Sequence, residues 1–491
     1  MGMLRLDGLI LANRAYLDHE SPRWADSPSA AGSGGLLAAV RPIIQPWDGG
    51  HGTTWIGAGM GRYDREWTDA RGFELLETTR GTLRHRRLYF GSATWQGHYA
   101  DVANSFLWPL LHLVRYDLPA KTGYYPVPAV PADSDWRSFL AVNTAFAEAA
   151  AEETEAPWCW IHDYQLALVP GLLRERGFAA PIGFFLHTPF PDIEVAKPYL
   201  VGGGGTTFKR VIEGLLGADL LGFQTEADVE RFGRAAVTLA GARADAGGLW
   251  YDDHFVGVRA FPVGIDIEDV LGVARRAPTP PRVTNARNLG LPLVVGLERG
   301  DFTKGIPERL RAITQAFRKG GRFAYLGIAA PTREGVSAYD SLDTAIEHEA
   351  REAREAALAA GGSFAHVRAN VGWEDVVALQ READVVFTSS LADGQNLVPL
   401  QAVIAQSLRP AEQRAVIISG RDAGASSSYA EFAEEGMAIA DALDADELRD
   451  TLCAALAGRP GRISDRFIEA VQARDALSWA TGFLGSLEET C

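Results

Sequence analysis

The chain has 491 residues, 47% of them hydrophobic and 22% charged, and its 63 acidic against 47 basic side chains leave a net charge of −16. A chain of this length exceeds what one core organises, so two or three domains are expected, and so acidic a surface disfavours nucleic acid and anionic membranes as partners. The three cysteines, Cys159, Cys453 and Cys491, cannot build a disulfide framework or a four-cysteine metal site; with no signal-peptide pattern and no long apolar run, a reducing, cytoplasmic setting is expected.

In chain order, Leu9–Ala12, Trp158–Ile161, Ile182–Leu186 and Leu220–Phe223 read as buried strands, each followed by polar or small residues where a ligand crevice can open. Gly202–Gly205 reads as a loop. Arg275–Pro281 carries three prolines, which lack donors and restrict their neighbours, so a linker is expected there. Beyond it, Leu293–Gly296, Phe323–Gly327, Val385–Phe387 and Val416–Ser419 repeat the strand pattern, while Ala350–Ala360 and Asp444–Gly458 have the composition of solvated covering helices. Such runs, alternating with longer stretches of helical period, predict an α/β fold with two doubly wound sheets. The expected domains are 1–270 and 282–470, with a helix in 471–491 returning to the first.

Four stretches point to chemistry. Trp158–Gln165 sets His162 and Asp163 just past an apolar strand, and Gly183–Pro191 sets His187 past the next, at the carboxyl edge where open α/β sheets bind ligands. Taken alone, His187 reads equally well as a core histidine and Asp163 as a helix cap. Glu298–Gly305 follows a third strand and places Arg299 and Lys304 at the start of an expected helix, an arrangement that favours a phosphate or diphosphate; a surface ion-pair loop is the plainer reading. Asp393–Val398 follows a fourth strand, and its Gly394 lets successive backbone amides approach phosphate oxygens. Together the last two stretches predict a diphosphate clamp. Asp133-Ser-Asp135 has the spacing of a metal-binding pair but sits in a Pro-rich stretch and reads as a turn and cap. Gly57–Gly61 lacks the strand-to-helix context of a dinucleotide fingerprint, and no Walker-type loop occurs.

In this order and at comparable spacing, His162-Asp-Tyr-Gln165, Gly183–Pro191, Leu220–Glu226, Glu298–Gly305 and Asp393–Val398 resemble the trehalose-6-phosphate synthases, a family of retaining sugar-nucleotide glycosyltransferases, over nearly the full length. The resemblance implies two Rossmann-like domains facing a central cleft, the GT-B type, with the first domain binding the acceptor and the second the nucleotide sugar. It implies that Arg299 and Lys304 hold the donor diphosphate, with the backbone amides of Asn396, Leu397 and Val398 on its other side. Asp163, His187 and Asp393 would grip sugar hydroxyls around the reacting carbon. Gly34 and Gly35 match a loop that closes over the donor, and Arg14, Tyr99, Trp108 and Arg333 match the pocket for the acceptor's phosphate. A nucleoside-diphosphate glucose and a sugar phosphate are therefore the expected partners; no cofactor or metal is implied, and oligomeric state stays open.

Three departures qualify the match. Gln401 stands where the family usually carries a glutamate that grips the donor ribose, and an amide offers donors where a carboxylate offers only acceptors. Gly300 replaces a larger residue between the clamp arginine and the following aspartate, and residues 55–61 match only in part. The leading expectation is transfer of glucose to glucose 6-phosphate. Two alternatives remain: a pseudo-glycosyltransferase joining a nucleotide-activated cyclitol to a phosphorylated aminocyclitol, and a catalytically silent sugar-phosphate-binding regulator.

Overall fold

A computed structural model describes residues 7–23, 35–49, 51–78, 81–333 and 339–490. The chain divides into two units: Met1–Leu113 with Val127–Pro262 and Ala476–Cys491, and Val114–Pro126 with Val263–Asp475. Arg275–Pro281 is therefore not the linker. It lies inside the second unit, joining the helix Ile267–Arg276 to the helix Pro281–Asn288, whose first position is the proline expected to break it. Proline suits that position because its missing N–H would have no intrahelical partner there.

The first unit is built on a sheet of strands β1 (Leu9–Arg14), β2 (Thr54–Ala58), β3 (Phe73–Thr78), β4 (Gly81–Leu88), β5 (Cys159–His162), β6 (Ile182–Phe185), β7 (Leu220–Phe223), β8 (Arg243–Asp245), β9 (Gly248–Tyr251) and β10 (His254–Ala260). Their order is β3-β4-β2-β1-β5-β6-β7-β10-β9-β8, parallel from β4 through β10, with antiparallel edges. The parallel strands β1, β5, β6 and β7 are nearly continuous apolar runs because helices cover both faces. The helix Gly204–Leu215, for example, buries Phe208, Val211, Ile212 and Leu215, one stripe at helical spacing. The last helix, Ala476–Thr490, belongs to this unit: Phe483 stacks on Trp160 of β5 at 4.6 Å and Trp479 meets Phe185 of β6 edge-on at 5.0 Å.

Charges are also buried in this unit. Glu74 on β3 bonds the rings of His19 and His85 at 2.8 Å each and the guanidinium of Arg87, which also pairs with Asp64. Burial opposes ionisation of Glu74, but the His85 hydrogen bond and the Arg87 charge win and hold it down at about 2. Asp64 also accepts the His19 and Gly61 amides, so the cluster fixes the segment that follows Arg14.

The second unit has six parallel strands, β11 (Leu293–Arg299), β12 (Ala324–Ala330), β13 (Ser363–Arg368), β14 (Val385–Phe387), β15 (Val416–Gly420) and β16 (Met437–Ala440), in the order β13-β12-β11-β14-β15-β16. Counted within the unit this is 3-2-1-4-5-6, the doubly wound order whose ligand crevice opens between strands 1 and 4. Val295, Leu297, Val386 and Ile417 lie in its core. Asp133 and Asp135 open the helix Asp133–Ala151, where Asp135 accepts the Ala132 amide, so this pair caps a helix. Among the described residues no group of three potential ligands could hold a metal, and no helix is long and apolar enough to cross a membrane.

Candidate active site

In the first unit the candidate residues gather around the carboxyl ends of β1, β5 and β6. Adjacent β1 and β5 lead away in opposite directions across the sheet, so their ends flank its switch point. Arg14 ends β1, its side chain half exposed, bonded to Asp18 at 3.1 Å. The preceding Asn13 accepts from His98 Nε2 at 2.9 Å, which ties β1 to the wide helical stretch Gln96–Leu107 carrying Tyr99. Tyr99 stacks on Trp95 at 5.6 Å, and its carbonyl accepts from Asn104 at 2.7 Å. Asn104 in turn accepts from the hydroxyl of Tyr164, whose ring packs on buried Trp108 at 5.7 Å. The network thus links Arg14 and Tyr99 on one side, and Trp108 and the neighbour of Asp163 on the other.

Burial pushes the His98 imidazole down to about 3. A histidine held neutral in this way stabilises the fold above its unfolded pKa of about 6.5, and that contribution is lost as the pH falls toward 3. Between pH 7 and pH 5 the wild type should therefore lose about 2 kcal/mol more unfolding free energy than His98→Gln, read by urea denaturation; parallel losses would contradict a neutral, buried His98.

Asp163 follows β5 with φ 72° and ψ 162°, a backbone conformation that costs about 1–3 kcal/mol and persists where the surroundings impose it. It precedes the turn Tyr164–Leu166 but makes no side-chain cap; its carboxylate accepts the His187 backbone N–H at 3.3 Å instead. His187 is partly buried, and its Nε2 lies 3.1 Å from His162 Nδ1, so one ring donates to the other. Burial holds His187 down at about 3 and, with repulsion from His187, lowers His162. Both rings are neutral near pH 7. Asp163 and His187 are brought together, with His187 suited to orient hydroxyls rather than carry charge.

In the second unit β11 and β14 are neighbours, and the two phosphate-binding candidates follow them at the switch point. The helix expected to begin at Arg299–Lys304 begins at Ile306: Arg299 closes β11 and is exposed, and Lys304 closes the single turn Phe302–Lys304. Gly305 then takes φ 58°, and a Cβ there would stand 2.1 Å from the Ser389 carbonyl oxygen, so only glycine lets the loop pass. Lys304 Nζ is ion-paired with Asp393, which also accepts from Ser390 Oγ at 3.0 Å. Asn396, at φ 60°, caps the helix Leu397–Gln406. Its Oδ1 accepts the Val398 amide at 3.3 Å, so that amide, expected to face a ligand, is already engaged. Its Nδ2 donates to Ser390 Oγ at 3.1 Å. Gln401 on the same helix accepts from Gln380 Nε2 at 3.4 Å.

Arg333, at φ 47°, donates to Tyr339 Oη at 2.9 Å and pairs with Asp301 of the clamp loop. Burial opposes ionisation of Asp301, and the charges of Arg333 and Arg299 overcome it, holding its carboxyl below the usual range. Gly34 lies outside the described residues, and Gly35 opens the helix Gly35–Val40.

Sequence reasoning passed over several residues that shape these loops. Glu298 and Arg309 form a fully buried ion pair, with Arg309 also donating to the Phe387 carbonyl at 3.0 Å. Tyr125, from the segment 114–126 that joins the second unit, meets Phe302 edge-on at 4.7 Å. His162 and Asp301 stood inside recognised motifs, yet only pairing geometry gives them roles.

A family model described as Glycosyltransferase family 20 matches residues 9–489. The trehalose-6-phosphate synthase of Mycolicibacterium gilvum is 31% identical over 98% of this chain and 94% of that protein. The alpha,alpha-trehalose-phosphate synthase (UDP-forming) A of Dictyostelium discoideum is 26% identical, and the match covers 98% of this chain but only 62% of that longer protein. Among solved structures, an alpha,alpha-trehalose-phosphate synthase (UDP-forming) from Burkholderia xenovorans in complex with glucose-6-phosphate superposes with a TM-score of 0.77 at 24% identity, covering 98% of this chain and 99% of that one. That likeness shows the fold, a mixed α/β architecture of the GT-B type.

Proposed function

We propose an activity for this chain from one premise: it belongs to glycosyltransferase family 20, the trehalose-6-phosphate synthase family. On this reading it transfers glucose from a nucleoside-diphosphate glucose to glucose 6-phosphate, with retention, giving trehalose 6-phosphate. The observation that carries the reading is the meeting of Arg299, Lys304 and the capped helix start at Asn396 at the switch point of an all-parallel sheet. UDP-glucose is the first donor to consider, because the Dictyostelium and Burkholderia relatives are named as UDP-forming.

The leaving diphosphate gains negative charge as the anomeric bond breaks. Arg299 and Lys304 stabilise that charge, and the Leu397 end of the helix adds its dipole. Lys304 is paired with Asp393, so a diphosphate held by Lys304 competes with that carboxylate for it, and an Asp393 released from the lysine accepts from a sugar hydroxyl. Asp163 and neutral His187 orient hydroxyls of the reacting sugar. The incoming hydroxyl attacks from the face the diphosphate leaves, and a diphosphate oxygen takes its proton. Arg14, Tyr99, Trp108 and Arg333 are assigned to the acceptor and its phosphate.

The test is a mass-spectrometric assay offering glucose 6-phosphate with UDP-, GDP- and ADP-glucose. A disaccharide phosphate from at least one donor is expected. No such product, with cyclitol substrates accepted instead, would transfer the reading to the pseudo-glycosyltransferases; binding without turnover of any pair would mark a silent regulator. Gln401→Glu should lower the donor KM while leaving the acceptor KM in place, since a carboxylate accepts from two ribose hydroxyls; an unchanged donor KM would remove residue 401 from the donor site.

A further inference from the structure

Within the second unit, a cavity of about 330 Å³ opens at the carboxyl ends of β11, β12 and β13, beneath the helix Asp340–Ala360. Its floor is apolar, from Ala329, Ile346 and Ala350, and its rim carries Arg351, Arg354 and Arg368. Three guanidiniums in one small pocket stand out on a chain of net charge −16. Of the two acids that also line it, Asp343 is committed to Arg368 at 2.6 Å, which leaves Glu347 alone against Arg351 and Arg354.

Neither Arg351 nor Arg354 makes a hydrogen bond or ion pair among the described residues, and as neighbours three apart on one helix they repel each other. Arg354 has Ala350, Arg351, Ala357 and Leu358 at its helical neighbour positions, none of them acidic. His366 of β13 also lines the cavity, in register with Gly327 of β12, which is in register with Gly296 of β11. A Cβ at Gly327 would stand 2.3 Å from His366 Nδ1, so the ring fits only because that position is glycine. Both His366 ring nitrogens are buried without a partner. The buried, unpartnered ring nitrogens of the partly buried His366 are a cost that a bound polar group would relieve, and the exposed guanidiniums of Arg351 and Arg354 line the same cavity, free to take an oxyanion.

We propose that this cavity is a second ligand site, for a small phosphate- or carboxylate-bearing metabolite whose charged group lies between Arg351, Arg354 and His366 and whose carbon body rests on Ile346 and Ala350. Guanidiniums bind either oxyanion through paired N–H donors. The site has a direct route to the clamp loop, because Gly300, between Arg299 and Asp301, lines it. A ligand here therefore touches the segment assigned to the donor diphosphate while being neither donor nor acceptor. A Cβ at Gly300 would have Ala330 O at 3.5 Å and Ala329 Cβ at 3.9 Å, so a larger side chain fits without collision and would project into the cavity.

The test follows the histidine side-chain NMR signals of the full chain, kept in saturating UDP and glucose 6-phosphate, during titration with inorganic phosphate and, in a separate arm, succinate. A saturable shift of the His366 signal is expected with at least one anion, and the responding arm identifies which oxyanion the site takes. Arg354→Ala, a change at an exposed position, should weaken that binding by about ten-fold, the loss of one charge-assisted contact. Gly300→Leu should abolish it. No saturable shift with either anion, or an unchanged affinity in Arg354→Ala, would overturn the proposal. Because the readout is binding at His366 and not turnover, a failure here leaves the glycosyltransferase reading untouched, and a failed activity assay leaves this site to be judged on its own.

Discussion

Arg299→Ala and Lys304→Ala should each lower kcat by roughly 10²–10³, the loss associated with one preorganised group that meets developing charge. The two changes should differ in what else they do. Arg299 is exposed at the end of β11, so its loss should leave the unfolding temperature nearly unchanged. Lys304 is 8% exposed and ion-paired with Asp393, so its loss strands a largely buried carboxylate and should lower stability as well as turnover. Lys304→Arg should not restore the rate, because a planar guanidinium cannot replace a compact ammonium at the close of a tight turn. The double variant should cost less than the product of the single effects, since both groups act on one departing diphosphate. Steady-state kinetics with the donor and acceptor varied separately, beside thermal unfolding, would check each of these outcomes; a full rate in either single variant would remove that residue from the clamp.

The largest effect on stability should come from a residue that touches no substrate. Arg309 lies wholly buried in the second unit, held by Glu298, the Phe387 carbonyl at 3.0 Å and Tyr325 Oη at 3.3 Å, with Gly296 giving its guanidinium room. Burial raises the Glu298 pKa against the pull of Arg309 and Lys304, so the carboxylate depends on its partners. Glu298→Ala leaves an uncompensated buried charge and should destabilise by about 3–5 kcal/mol, a fall in Tm of roughly 6–20 °C for a unit of this size. Replacing both partners, Glu298→Leu with Arg309→Met, should recover most of that loss, because the desolvation cost disappears with the pair. Thermal unfolding of the three variants decides it: a Glu298→Ala protein as stable as the wild type would mean that Arg309 finds other compensation.

The parallel strands were legible because burial on both faces turns them into apolar runs, and Leu220–Phe223 and Val385–Phe387 keep the predicted bounds. The antiparallel edge was not. The β4 sequence Gly-Thr-Leu-Arg-His-Arg-Arg-Leu has no apolar run to mark it, yet His85, Arg86 and Arg87 are buried, since Glu74 and Asp64 compensate His85 and Arg87, and Glu152 and the Ala149 carbonyl hold Arg86. The prolines of 275–281 carried a true backbone signal with two outcomes, and a helix start won over a linker. Nothing in Val114–Pro126 announces that it joins the second unit, because its anchors are single long-range pairs: Tyr116 to Asp441, and Tyr124 to Glu308 at 2.5 Å.

The candidate site divides in the same way. Arg299, Lys304, Asp393 and Asn396 were visible because phosphate binding needs charge and open backbone just past a strand, which short motifs record. The Lys304–Asp393 pair, the Asp301–Arg333 pair and the His162–His187 contact were not, since each joins residues that only the folded sheet brings together.

The most direct measurement is a crystal structure of the full chain with UDP-glucose or UDP bound. The β-phosphate oxygens should lie within hydrogen-bond distance of Lys304 Nζ and the Arg299 guanidinium, with Lys304 released from Asp393 and the diphosphate over the amino end of the helix Leu397–Gln406. A diphosphate bound elsewhere, with the Lys304–Asp393 pair intact, would contradict it.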